Sequence, residues 1–122
     1  MDRARFHSLV VEAIDAIPEP FRDHLANVEV VVEDEPAAEI LREMGLDPRR
    51  DTIYGLYEGV PVGERVFDDA PVLPDRIVIY YRPLLRDFRT PGAIRREIRT
   101  TIIHEVGHVF GLEDDEIEAE GY

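Results

Sequence analysis

The strongest constraint on the fold lies between Thr90 and Gly111, where the chain is built to be one long helix. Thr90 can accept at the N-terminus, Pro91 suits the first helical position, and Gly111 supplies a stop. Ile94, Ile98, Ile102, Val106, Val109 and Phe110 form an arc expected to bury against the rest of the domain. Beyond the edge of that arc lie His104 and His108, with Glu97 and Thr101 beside them. Any fold for this chain must bury the arc, and the histidines, displaced from it, suit a cleft.

Those histidines belong to the run His104-Glu105-Val106-Gly107-His108. Side chains four apart on a helix are separated by about 40° and about 6 Å, so both imidazoles point the same way. Both can then reach one metal ion at about 2.0–2.1 Å. Glu105 lies beside them without being needed as a ligand, placed to take a proton from a water the metal activates. The five-residue pattern alone arises by chance in about 1 in 60 shuffles of this composition, which is not specific. The continuation to Gly111 and Asp114 lowers that to roughly 1 in 7,000. Gly111 can adopt a left-handed conformation that turns the chain back, so that Asp114 can offer a carboxylate. Glu113 and Asp115 are the alternatives if the turn differs by a residue. Two histidines and one carboxylate leave a fourth position open, as in a catalytic zinc site rather than a closed structural one.

Elsewhere the order of elements is legible. Phe6, Leu9, Val10, Ala13, Ile14 and Ile17 fall at helical spacing from Arg3 to Ile17, and Pro18 ends that helix. Asn27–Glu33 reads as a strand, followed by a short helix with Pro36 in its first turn and Gly45 at its stop. Ile53–Glu58 is a second strand, weakened by Gly55, and Arg76–Arg82 is a third and the strongest. Between them, Gly59–Pro74 reads as a functional loop or an unresolved hairpin. The residues after Gly111 read as an acidic tail. The expectation is a single α+β domain over residues 1–122, with a small mixed sheet of three to four strands packed on helices.

The chain has 122 residues and no cysteine, so thiolate ligands and disulfides are excluded. Its net charge of −13, with 14 arginines and no lysine, disfavours a nucleic-acid partner. No run approaches the roughly 20 apolar residues of a membrane span, and the N-terminus lacks the apolar core of a secretion signal. A cytoplasmic location is therefore expected. His7 and His24 read as incidental, with a fourth-ligand role as the alternative. Tyr54, Tyr57, Tyr80 and Tyr81 read first as strand packing, and any of them or Tyr122 could stabilise an oxyanion.

The pattern H-E-x-x-H-x-x-G-x-x-D resembles that of the metzincin zinc peptidases in the version ending in aspartate. More closely, the chain resembles the small bacterial zincin-like proteins described as minimal metallopeptidases. The resemblance extends over YGLYEGVPVGER, LPDRIVIYYRPL and GLEDDEIEAEGY, covering roughly Asn27 onward. It implies a pared-down zincin fold, a zinc ion on His104, His108 and Asp114, Glu105 as general base, and a peptide or protein substrate. The metzincin methionine turn has no counterpart, since Met1 and Met44 both precede the motif and eight residues follow Asp114. A zinc-binding interaction module without hydrolysis is therefore the competing expectation. A metal-dependent endoribonuclease is a third, because ribosome-maturation endoribonucleases carry a related pair of helical histidines. It would need a basic groove and a third histidine, and the sequence supports neither.

Overall fold

A computed structural model of the chain describes residues 1–59 and 75–122. In order, these form α1 (Arg3–Asp15), a 3₁₀ turn (Arg22–Leu25), β1 (Val28–Glu33), α2 (Ala38–Glu43), β2 (Gly55–Glu58) and β3 (Asp75–Tyr80). Then come α3 (Tyr81–Asp87), α4 (Pro91–Val109) and α5 (Asp114–Ala119). This is the small α+β domain the sequence implies. The segment expected to be a loop or hairpin falls, from 60 to 74, outside the described residues.

The three strands run in the order β1-β3-β2, with β3 parallel to β1 and antiparallel to β2. β3 occupies the centre because it is apolar on both faces. Ile77 and Ile79 point one way, Val78 and Tyr80 the other, and all four are fully buried. Ile77 and Ile79 share the main core with Phe6, Leu9 and Ala13 of α1 and Ile94, Ile98 and Ile102 of α4. Each such fully buried aliphatic or aromatic side chain contributes about 1.5–3 kcal/mol through loss of water-exposed area. Among the described residues, β2 is an edge strand.

Local signals set the helix ends. The Asp2 carboxylate accepts from the Arg5 N–H at 2.8 Å, and Thr90 Oγ1 accepts from the Ala93 N–H at 3.1 Å. Such caps contribute about 1 kcal/mol each. Gly45 has φ +80° and ends α2, while Pro36 lies before that helix rather than in its first turn.

Further expectations need correction. The segment after Gly111, read as an acidic tail, forms the helix α5. The strand through Arg76–Arg82 stops at Tyr80, and the chain turns directly into α3. Pro83 sits in the first turn of α3, where an N–H would have no helical partner, so proline does no harm there. The buried face of α4 comprises Ile94, Ile98, Ile102, Ile103, Val106 and Gly107. Phe110 is instead 42% exposed and Val109 only half-buried. The helix ends at Val109, and the face beyond Val106 turns toward α5. Among the described residues, no helix is long and apolar enough to cross a membrane.

Candidate metal centre and cleft

The last turns of α4 carry His104 and His108, whose ring centroids are 6.2 Å apart with planes at 84°. Past Val109 the chain reverses through a Schellman turn. Gly111 adopts φ +87°, the Leu112 N–H donates to the Gly107 carbonyl at 2.9 Å, and the Gly111 N–H donates to that of His108 at 3.0 Å. Glu113 then caps α5 in a reciprocal capping box with Glu116. Asp114, Asp115 and Glu116 suit the positive end of the helix dipole.

A six-residue helix is not stable alone, and α5 has one buried side chain to anchor it. Ile117 is fully buried against α4 at Gly107. A Cβ at position 107 would lie 2.5 Å from Ile117 Cδ1, so a larger residue there would have to displace Ile117. The seat brings Asp114 back over the histidines.

Asp114 Oδ1 lies 2.9 Å from His104 Nδ1 and 2.6 Å from His108 Nε2. One potential ligand atom from each of the three residues lies within 4.8 Å of the others. Bonds from His104 and His108 hold the Asp114 carboxyl below its ordinary range. For His104, burial opposes the charged ring, but the Asp114 carboxylate and the Tyr122 carbonyl outweigh it and raise the pKa. That carbonyl lies 3.1 Å from His104 Nε2. It arrives there through a second Schellman turn, at Gly121 with φ +97°.

The sequence alternatives are engaged elsewhere. Glu113 serves the capping box, and Asp115 accepts from the Glu116 N–H at 3.0 Å. Neither His7 nor His24 joins the group among the described residues; His24 stacks on Phe110 at 3.8 Å. Two imidazoles and a carboxylate are donors that suit zinc, and three of them leave a coordination position for water or substrate. The residues present therefore fit that ion.

Glu105 faces the sheet. It is half-buried, and burial raises its pKa, opposed by a bond from the Tyr57 backbone N–H at 3.2 Å. Tyr57 lies on β2, where Tyr54 pairs toward β3 through the Tyr80 N–H; alternation turns the Tyr57 N–H outward, toward α4. Gly55 allows this approach. A Cβ there would lie 2.7 Å from Thr101 Cγ2 and 3.0 Å from the Val78 carbonyl oxygen. The glycine that weakened the strand pattern is thus the contact point between β2 and α4.

The resulting cleft, of about 410 Å³, is lined by His104 and Glu105 together with Glu97, Tyr54, Met44 and Tyr122. Tyr54 donates to Asp87 at 2.7 Å, and burial pushes its hydroxyl up to about 12. Tyr57 donates to Asp75 and Tyr81 to the Met1 carbonyl. The fully buried Tyr80 hydroxyl has no partner among the described residues, its pKa pushed up to about 12 by burial. A larger cavity of about 660 Å³, lined by Leu41 of α2 and Arg82 and Pro83 of α3, contains no histidine.

Compared with known families, residues 25–122 match that of the zincin-like metallopeptidases. No curated protein matches the chain. The match covers most of the sequence, and on that basis the chain belongs to the zincin-like metallopeptidase family.

Proposed function

We propose that the chain is a zinc-dependent peptidase, with His104, His108 and Asp114 as metal ligands and Glu105 as general base. The observation that carries the reading is the position of Glu105, half-buried in the cleft that His104 also lines. Bound by those three residues, zinc would lower the pKa of a water and polarise the scissile carbonyl. Glu105 takes the proton of the attacking water and passes it to the leaving amine. Burial makes its carboxylate a stronger base, and the Tyr57 N–H fixes its orientation.

The test compares wild type with Glu105→Gln, both loaded with zinc, on a mixed peptide library. A loss of about a hundredfold or more, with one zinc still bound per chain, is expected for removal of a general base. Equal rates would overturn the assignment. The second reading, a zinc-binding module without hydrolysis, is favoured by the Tyr57 N–H already engaging Glu105. It predicts zinc binding that is lost in His108→Ala, with no peptide cleaved.

A further inference from the structure

Glu97 lies on α4 seven residues before His104, two turns away on nearly the same face. At 1.5 Å per residue that is about 10 Å along the helix axis, the length of about three residues of extended peptide. Its side chain is half-buried and lines the cleft shared by His104 and Glu105. The positions that could pair with it along the helix are Ala93, Ile94, Thr100 and Thr101, and none is cationic. It makes no ion pair or hydrogen bond with any described residue, and burial raises its pKa, opposed only by the charge of His104. A carboxylate partly withdrawn from water without a counter-charge is destabilising unless a ligand supplies one.

The surrounding wall suits a particular ligand. Met44, Ile53 and Tyr54 offer apolar surface beside Glu97. The Tyr54 ring is held by its bond to Asp87 at 2.7 Å and by edge-on contact with Phe88 at 5.4 Å between centroids. A fixed aromatic wall with a carboxylate matches a side chain that has an aliphatic stem and a cationic head. Glu118 also lines the cleft and disfavours an acidic group there.

We propose that the cleft selects peptides carrying an arginine or lysine side chain near the reacting bond, and that Glu97 is the specificity-determining residue. This rests on the peptidase reading for its catalytic consequence, but the binding preference can be measured without it. The probes are blocked alanine-rich peptides with one arginine, stepped along the chain, and the same peptides with norleucine or glutamate in its place.

With zinc-loaded wild type, kcat/KM is expected to favour the best arginine peptide over its norleucine counterpart by about tenfold or more, the scale of a charge-assisted contact. Glu97→Gln brings the ratio toward one. Glu39→Gln removes the same charge from an exposed site on α2 outside the cleft, and leaves the ratio intact. No preference in wild type, or an equal fall in both variants, overturns the proposal, the latter by assigning the preference to net charge. If no peptide is cleaved, the peptidase reading fails separately. Fluorescence anisotropy of the labelled peptides on zinc-loaded Glu105→Gln, with and without Glu97→Gln, then decides. An arginine preference lost with Glu97 supports the proposal, and its absence overturns it.

Discussion

The Tyr57 backbone N–H donates to a Glu105 carboxylate oxygen at 3.2 Å, joining residues 48 apart in sequence. The bond ties the edge strand to the motif helix through the residue proposed as the base. Glu105→Gln preserves an acceptor and is expected to change stability by less than about 0.5 kcal/mol. Glu105→Ala leaves the N–H without its acceptor and should cost about 1–3 kcal/mol. Urea denaturation of the two metal-free variants separates this structural role from the chemistry. Equal midpoints would mean the bond adds nothing to stability.

The seat of Ile117 on Gly107 yields a second prediction. Gly107→Ala improves intrinsic helix propensity by about 1 kcal/mol but places a Cβ 2.5 Å from Ile117 Cδ1. Overpacking of this kind costs about 1–3 kcal/mol and is relieved most easily by moving the short α5. Zinc affinity should fall about tenfold as Asp114 shifts, while helix content is retained. Ile117→Val deletes Cδ1, so the double variant should recover part of the affinity. Calorimetric zinc titration of the four proteins gives the coupling, and strict additivity would argue against the seat as the cause.

Gly55→Ala should be harder to rescue. Its Cβ would meet both Thr101 Cγ2 at 2.7 Å and the Val78 carbonyl oxygen at 3.0 Å. Thr101→Ser removes the first obstacle and leaves the backbone one. The expected loss for Gly55→Ala is about 1–3 kcal/mol, with Thr101→Ser restoring only part of it in thermal or urea unfolding. Full restoration would show that β2 can shift on β3 without cost.

A pH prediction comes from Asp87. Bonds from Arg86 and Tyr54 hold its pKa below the ordinary value. A depressed folded-state pKa contributes stability above the unfolded value of about 3.9, and that contribution is lost as pH falls through the folded value. Because the carboxylate is partly exposed and screened, Asp87→Asn should cost no more than about 1 kcal/mol near pH 7. The difference from wild type should shrink to nothing in acid. A gap between the two proteins that stays constant with pH would assign the effect to shape rather than charge.

The parts of the fold that could be read from sequence are those whose signals are local. Thr90, Pro91 and Gly111 mark α4 and its turn, and the spacing from His104 to Asp114 anticipates the group that the structure brings together. α5 was not legible because its single apolar anchor, Ile117, means nothing until Gly107 is seen opposite it. α3 was hidden because Tyr81 and Arg82 continue a strand-like run, while Pro83, the clue to a helix start, looks like a terminator. The support of Glu105 by Tyr57 is a backbone contact and has no side-chain signature. Glu97 was visible only as a neighbour of the histidines on the helix face; its lack of a partner among the described residues is a property of the folded cleft.

His104 and Asp114 are only ten residues apart, whereas Glu105 depends on a strand 48 residues away. Closing so short a loop costs little chain entropy, so the metal-binding unit is nearly a local structure. The reactive arrangement around Glu105, by contrast, exists only when distant segments have met. The proposed capture of zinc and the proposed chemistry at Glu105 are therefore separable events. On the proposed reading, lesions in the sheet should abolish peptide cleavage while zinc binding by His104, His108 and Asp114 persists.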